Sequence, residues 1–398
     1  MPGIFSYFIM DTKTRLQQEI ETIASDLKAL SRQLYEHPEV AFQEYQSCVL
    51  LSKYLGQYGF QVEQGIGEVE TAFYARIPEH DAPPKVALLA EYDALPQIGH
   101  GCGHNLIAAA SVGAGVALSR CIDDIEGSVV VIGTPAEEGG GGKILLLNAG
   151  IFDDVNVAMM FHPSSRTVVG NNSLGRIKFT VEFFGKAAHA SGSPEEGINA
   201  LDAMIAFFSG IGLLRQQLRS EAKIHGIITH GGDAPNIIPH YTAACMYVRA
   251  MDSAYLEEVF AKVKQCAEGA ALATRAEVKI MPDPLRYEPR KRSFELERVC
   301  LQNMEALGLT VEKPEPGKLG STDLGNLSQK LPAIHPTIAI CGPEIAGHSV
   351  EMAEATISPQ GQDALIKAAK MLAMTAYDYL ASPDIQACIT QEFEQTQN

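Results

Sequence analysis

The chain is short of positive charge. Its 398 residues carry 31 Lys and Arg against 48 Asp and Glu, a formal net charge of −17 at pH 7. Affinity for nucleic acid comes chiefly from Lys and Arg neutralising phosphates, so no nucleic-acid partner is expected. The same acidity argues against docking on an anionic membrane surface. Long apolar runs are missing too: nowhere do about 18 apolar residues follow one another, which excludes a transmembrane helix on hydropathy grounds. The opening stretch MPGIFSYFIM is apolar but has no basic n-region, and no small-residue cleavage site follows, so no signal peptide is expected. The eight cysteines (Cys48, Cys102, Cys121, Cys245, Cys266, Cys300, Cys341, Cys388) lack paired short spacings. That pattern suits a reducing cytoplasm. Seven are expected in cores as small hydrophobes, and only Cys102 has a chemical neighbourhood. No internal repeat or low-complexity tract stands out.

What is present is ordinary globular composition, 46% hydrophobic and 20% charged. The length exceeds one compact core, so two domains are expected. Helical periodicity runs from Arg15 to Glu36. Apolar strands (Val86 to Ala90, Val129 to Thr134, Val157 to Phe161) then alternate with helices that follow Gly103 and Gly142. Such alternation implies an α/β fold with a mostly parallel sheet, whose ligands bind outside the carboxyl ends of the strands. From Ser173 the order changes to strand (Ile177 to Phe184), helix (Gly197 to Leu218), strand (Ile224 to Thr229), strand (Ala243 to Arg249), helix (Ala254 to Ala273) and strand (Ala276 to Met281). This is the split βαβ, ferredoxin-like arrangement. After Pro289 the alternation resumes, with a buried strand at Thr337 to Ile340 and a helix over Gly361 to Leu380. The expected organisation is a catalytic domain of residues 1–172 and 290–398, interrupted by a smaller α+β domain over residues 173–289.

Polar clusters fall at the expected strand ends. After Glu91-Tyr92-Asp93 comes Gly99-His100-Gly101-Cys102-Gly103-His104-Asn105. Thiolate and imidazole are both strong ligands for borderline-soft divalent metals. Two residues apart on a helix they would diverge, but glycines flanking a loop allow them to converge. Asp93 is placed to accept the second ring N–H of His104. A nucleophilic Cys102 activated by His104, or a merely structural loop, are the alternatives. The run Thr134-Pro135-Ala136-Glu137-Glu138-Gly139-Gly140-Gly141-Gly142 ends another strand; in extended chain two neighbouring carboxylates point opposite ways and serve different jobs. His162 and His348 each follow a strand. A lone histidine there is more often structural, but five ligands at strand ends (Cys102, His104, Glu138, His162, His348) suit two metals sharing a bridging group.

Together these motifs resemble the metallopeptidases that include carboxypeptidase G, aminoacylase and the auxin-conjugate amidohydrolases. The likeness covers nearly the whole chain. It runs from His37-Pro38-Glu39 and Glu44, through the residues above, to Gly185-Lys186-Ala187-Ala188-His189-Ala190-Ser191, Asn236-Ile237-Ile238-Pro239, Arg249, Gly320-Ser321-Thr322-Asp323 and His348. The resemblance implies that Cys102 bridges the metals, with Glu138 and His348 on one and His104 and His162 on the other. Asn105 replaces the Asp of many auxin-conjugate enzymes, and Glu91-Tyr92-Asp93 replaces their Asp-Met-Asp. With Gly325 to Ser328 and Pro332 to Pro336, these departures point to the aminobenzoyl-glutamate hydrolase and β-alanyl-lysine dipeptidase branch.

The implied activity is hydrolysis of an amide bond in an N-acyl amino acid or dipeptide. Two divalent ions are implied, with zinc foremost and manganese, cobalt or nickel as alternatives. A water between two divalent cations ionises near neutral pH; Glu137, as general base, would take its proton and pass it to the leaving amine. By resemblance, His189 is an extra oxyanion donor, and Asn236 and Arg249 meet the substrate's polar end, with Arg286 a rival arginine. The inserted domain is expected to act as a lid and to pair with a second copy, giving a homodimer in which His189 completes the partner's site. A cysteine-nucleophile hydrolase and a non-catalytic metal-binding relative are the rivals; the second carboxylate at Glu137 argues against the latter.

Overall fold

The computed structural model describes residues 11–78, 80–121, 126–315 and 319–395. The chain divides into two compact units. One takes residues up to Asn171 together with Lys291–Glu315 and Leu327–Asn398; the other takes Asn172–Arg290 and Pro316–Asn326.

The first unit opens with α1 (Thr12–Thr22) and α2 (Ala24–Glu36). The sequence periodicity suggests one helix here, but the chain breaks at Ile23. The Thr22 hydroxyl donates back to the carbonyls of Gln18 and Glu19, at 2.7 and 2.9 Å, a contact that bends helices. Then come α3 (Tyr45–Gln57), β1 (Gln61–Gln64), β2 (Phe73–Arg76), β3 (Lys85–Ala90), α4 (His104–Ser119), β4 (Ser128–Gly133), α5 (Gly142–Asn148), β5 (Val157–Met159) and β6 (His162–Ser164). After the second unit the first resumes with α8 (Phe294–Ala306), β11 (Ala333–Ile334), β12 (Thr337–Ala339), α10 (Val350–Thr356), α11 (Pro359–Ala381) and α12 (Pro383–Gln395).

The main sheet has the order β1-β2-β4-β3-β5-β11. Its centre is parallel, β4 with β3, β3 with β5 and β5 with β11, while β1 and β2 join antiparallel. Every residue of β3 and β4 is buried, as expected of strands covered on both faces. Helix α4 is apolar all round and buried from His104 to Leu118, so it is a core helix with no solvent stripe. The strand read at Thr337 to Ile340 exists, but β12 pairs with β6 in a separate two-stranded sheet.

The second unit contains β7 (Gly175–Phe184), α6 (Ala200–Leu214), β8 (Lys223–His230), β9 (Tyr241–Ala250), α7 (Ser253–Thr274) and β10 (Glu277–Pro282). The sheet order is β10-β7-β9-β8, all antiparallel, which is the ferredoxin-like topology. Alternate residues of β7 (Ile177, Phe179, Val181, Phe183) pack on Met204, Phe207, Val259 and Val263 of the two helices. The short helix α9 (Leu324–Ser328) lies where the chain returns to the first unit.

All eight cysteines are free, but not all seven core assignments hold. Cys48, Cys121, Cys300 and Cys341 are buried, Cys245 and Cys266 are half-buried, and Cys388 is exposed on α12. Strand alternation turns Cys245 to the unburied face of β9.

Candidate metal centre

The five expected ligands converge. Cys102, His104 and His162 form one group and Cys102, Glu138 and His348 another, each with its ligand atoms within 4.8 Å of one another. His104, Glu137 and Glu138 form a third such group. Cys102 is thus common to two of these groups.

Local chain chemistry builds this convergence. Gly103, at φ 78°, caps α4, and a Cβ there would sit 2.3 Å from Pro163 Cγ. Only glycine lets the Cys102 loop approach Pro163 of β6 so closely. Past β4 the chain does not stay extended: Ala136 adopts φ 60°, and its N–H donates to Glu44 Oε1 at 2.9 Å. The expected opposed carboxylates are therefore corrected. The turn brings Glu137 and Glu138 to the same side, beside His104. His348 also has a left-handed φ, 61°, and its N–H donates to the Gly101 carbonyl at 3.0 Å, tying it to the Cys102 loop. Left-handed non-glycine residues are costly and cluster at functional sites.

Orientation of His104 is fixed from behind. Its Nδ1–H donates to Asp93 Oδ1 and to the Asp93 carbonyl, both at 2.9 Å, while Asp93 Oδ2 accepts the Glu138 N–H at 3.0 Å. A carbonyl can only accept, so Nδ1 carries a proton and Nε2 is the ring nitrogen turned to the other ligands. Burial alone would raise the Asp93 carboxyl, but the charge and hydrogen bond of His104 hold it below its ordinary value. Burial pushes His162 down to about 4, which keeps the ring in its neutral, ligating form. Burial first, and the Glu138 charge second, push the Cys102 thiol up.

The donor set fits divalent ions. His104 Nε2 and Glu138 Oε1 are buried with no hydrogen-bond partner, a costly state without something to bind. Cys102 Sγ lies 3.5 Å from His162 Nε2 and 3.7 Å from His348 Nε2, and Glu138 Oε1 lies 3.5 Å from His348 Nε2. Two ligands on one tetrahedral zinc, at about 2.0 to 2.3 Å each, stand about 3.5 Å apart.

The remaining expected residues lie in the second unit. His189 and Asn236 are exposed, and the backbone links them, with the Ala190 N–H donating to the Asn236 carbonyl at 3.0 Å. The His189 Nδ1 accepts the N–H of Gly192 at 3.1 Å, which leaves Nε2 outward. Arg249 donates to His225 Nε2 at 3.2 Å and to the Ser321 hydroxyl at 2.9 Å. Among the described residues it has no carboxylate partner, whereas Arg286 is already paired with Glu257 and with Glu288.

Sequence comparison places this geometry among known proteins. The peptidase dimerisation domain family matches residues 171–275. The Xaa-Arg dipeptidase of Mus musculus is 36% identical over 96% of this chain and 92% of its own length. The chain belongs to the M20 metallopeptidase family. A p-aminobenzoyl-glutamate hydrolase polypeptide of Escherichia coli is 34% identical over 63% of this M20 chain and 56% of its own. In fold, a dinuclear metal-binding M20 peptidase of Bacillus subtilis superposes with a TM-score of 0.72 at 21% identity, covering 91% of this chain and 99% of that one. An aminobenzoyl-glutamate utilization protein of Klebsiella pneumoniae gives 0.70 at 19%, covering 91% and 98%. This M20 chain is a metal-dependent peptidase, a metallo-amidohydrolase with an α/β catalytic domain and an inserted lid domain. No helix among the described residues is long and apolar enough to cross a membrane.

Residues beside the M20 centre escaped sequence reasoning. Glu44, quoted only as part of a motif, is buried at 0% exposure and holds both the Ala136 turn and the Thr71 hydroxyl, the latter at 2.9 Å. Burial, the largest influence, pushes its carboxyl up to about 7. Glu91 and Lys143 form a buried ion pair at 2.5 Å. The available signal was a charged residue bordering or entering an apolar element at each place.

Proposed function

We propose that this M20 enzyme hydrolyses the amide bond of a dipeptide or N-acyl amino acid, with Glu137 as general base at a centre held by Cys102, His104, Glu138, His162 and His348. The observation that carries the reading is the sharing of Cys102 between two ligand groups, with Glu137 beside His104 and Glu138. Two divalent ions, zinc foremost and manganese, cobalt or nickel as alternatives, supply the charge that acidifies a water and neutralises a developing oxyanion. Glu137 accepts the proton of that water as its oxygen bonds to the amide carbon. Breaking of the carbon–nitrogen bond then draws the proton from Glu137 to the leaving amine. Asp93, bonded to His104 and to the Glu138 N–H, holds both ligands in place. A cysteine nucleophile is disfavoured, because Cys102 Sγ is shared between two groups of ligand atoms and is not set against a single base.

The relatives' names supply the substrate class, an Xaa-Arg dipeptide or p-aminobenzoyl-glutamate. Both carry a free carboxylate near the scissile amide. Arg249, without a carboxylate partner among the described residues, is suited to bind it through two parallel hydrogen bonds, while Asn236 lies with His189 at the opposite end of β9. His189 would donate to the oxyanion in trans, in a homodimer paired through β8. That edge strand exposes Ile227 at 67% and Ile228 at 45%, and an open apolar edge invites pairing with a second copy. Eight free thiols suit a cytoplasmic home.

The test is chelation followed by reconstitution with each of the four metals, assayed on Xaa-Arg dipeptides, N-acyl amino acids and p-aminobenzoyl-glutamate. Elemental analysis should give two ions per chain, and activity should return with metal. Undiminished hydrolysis by metal-free protein would overturn the proposal.

A further inference from the structure

The sheet of the second unit packs one face on its helices, and strand alternation turns Arg176 of β7 and Arg249 of β9 to the other face. The two stand directly opposite each other, with Lys223 of β8 next in the same row. Like charges so placed repel, and here they are also close. The Arg176 N–H donates to the Tyr287 carbonyl at 2.7 Å, and the Arg176 carbonyl accepts the Tyr287 N–H at 3.1 Å. Towards β9, Arg176 therefore forms the pair without hydrogen bonds, in which side chains approach most. Aromatic rings hold its guanidinium: the central carbon lies 3.9 Å from the centre of the Tyr287 ring and 5.2 Å from that of Tyr247. Its Nε is buried without a hydrogen-bond partner, so stacking positions the group. Among the described residues neither arginine forms an ion pair, in a chain with 48 Asp and Glu. The acids on or beside β7 are engaged elsewhere: Asp283 lies 3.4 Å from Lys178, Glu288 lies 2.8 Å from Arg286, and Glu182 accepts the Tyr241 hydroxyl at 2.7 Å.

We propose that Arg176, braced by Tyr247 and Tyr287, joins Arg249 in a twin-arginine site for two carboxylates, so that the amino acid on the amine side of the scissile bond is glutamate or aspartate. Arg249 takes the carboxylate next to the amide, and Arg176 takes the one on the side chain. Opposite residues on paired strands have Cβ atoms about 4.5 to 5.5 Å apart, a span that one small dicarboxylic amino acid can bridge. The inference rests on the amidohydrolase reading and narrows it. A dianion offsets the repulsion between the two guanidiniums, whereas the cationic side chain of an Xaa-Arg dipeptide adds to it. Arg176 thereby becomes a specificity residue that the motifs of the chain do not contain.

Two measurements on the metal-loaded full chain test this. The first is hydrolysis of the p-aminobenzoyl conjugates of glutamate, glutamine and arginine, of which the first two differ only in one carboxylate. Wild type should favour the glutamate compound over the glutamine compound in kcat/KM by about 10- to 100-fold, the range of a hydrogen bond to a charged group, and should use the arginine compound least. In Arg176→Gln the ratio of glutamate to glutamine should fall towards one, through KM and not kcat. Arg176→Lys keeps the charge without the planar fork and should lower the ratio by less; it also stands in should the glutamine variant not fold. The second measurement is calorimetric titration with free glutamate and free glutamine, which should give the same ranking without turnover. Equal use of the glutamate and glutamine compounds by wild type, a preference for the arginine compound, or a glutamate preference undiminished in folded Arg176 variants would overturn the inference. If no conjugate is hydrolysed while glutamate still outbinds glutamine in a manner that depends on Arg176, the amidohydrolase reading falls and the twin-arginine site stands.

Discussion

The two units carry their polar residues in opposite ways. In the first, Asp93, His104, Glu91 and Lys143 are at most 1% exposed, and each is oriented by a named neighbour. In the second, His189 and Asn236 are exposed at turns, and Arg249 has only neutral partners in His225 and Ser321. Buried polar groups must be satisfied where they stand, so the first unit preorganises its chemistry alone. Exposed groups need satisfy nothing until a ligand or a second copy arrives. The contrast separates a centre that is built from a surface whose polar groups are left to solvent.

The largest effect expected divides the built centre itself. Glu137→Gln should lower turnover by about 10² to 10⁴-fold with metal content near that of wild type, whereas Glu138→Gln should lose metal, as elemental analysis of the two purified variants would reveal. Equal behaviour of the two would mean that the turn at Ala136 gives them one shared role. Next comes the loop that supports Cys102. Gly103→Ala forces a Cβ to 2.3 Å from Pro163 Cγ at φ 78°, so it should destabilise the fold by about 1 to 3 kcal/mol and release zinc more readily. A melting temperature and zinc affinity equal to wild type would show the close approach to be unnecessary.

Glu44 sharpens the comparison by pH. Its folded pKa is raised from 4.5 to about 7, burial being the largest cause. A raised acid favours the folded state below its unfolded pKa, and that stability is lost as pH climbs through the folded value. Metal-free wild type should therefore lose up to about 3 kcal/mol between pH 4.5 and 7 from this group, and Glu44→Gln should not. Parallel denaturation curves across that window would refute it.

The smallest effect concerns the solvent-facing surface. A His189→Ala chain mixed with a Glu137→Gln chain should regain activity towards a quarter of wild type, because one site of each mixed dimer carries neither defect. No recovery, despite subunit exchange confirmed by mass spectrometry, would confine His189 to its own subunit or remove it from the chemistry.

Much of this molecule was legible in its residues because the signals are local. Apolar runs of β3 and β4 mark buried parallel strands, the βαββαβ order of the second unit follows from period and spacing, and Cys102, His104, Glu138, His162 and His348 stand out as ligand types at strand ends. The break at Ile23, the left-handed turns at Ala136 and His348, and the pairing of β12 with β6 depend on contacts far apart in sequence. The same is true of the Glu91–Lys143 pair. A Glu just past an apolar strand and a Lys after a glycine run carry no mark of each other, since 52 positions separate them. Sequence by itself determined which side chains can bind a metal and which strands bring them to one edge. Tertiary structure alone decided which oxygen faces which nitrogen, because that depends on desolvation and on backbone turns that no single residue type dictates.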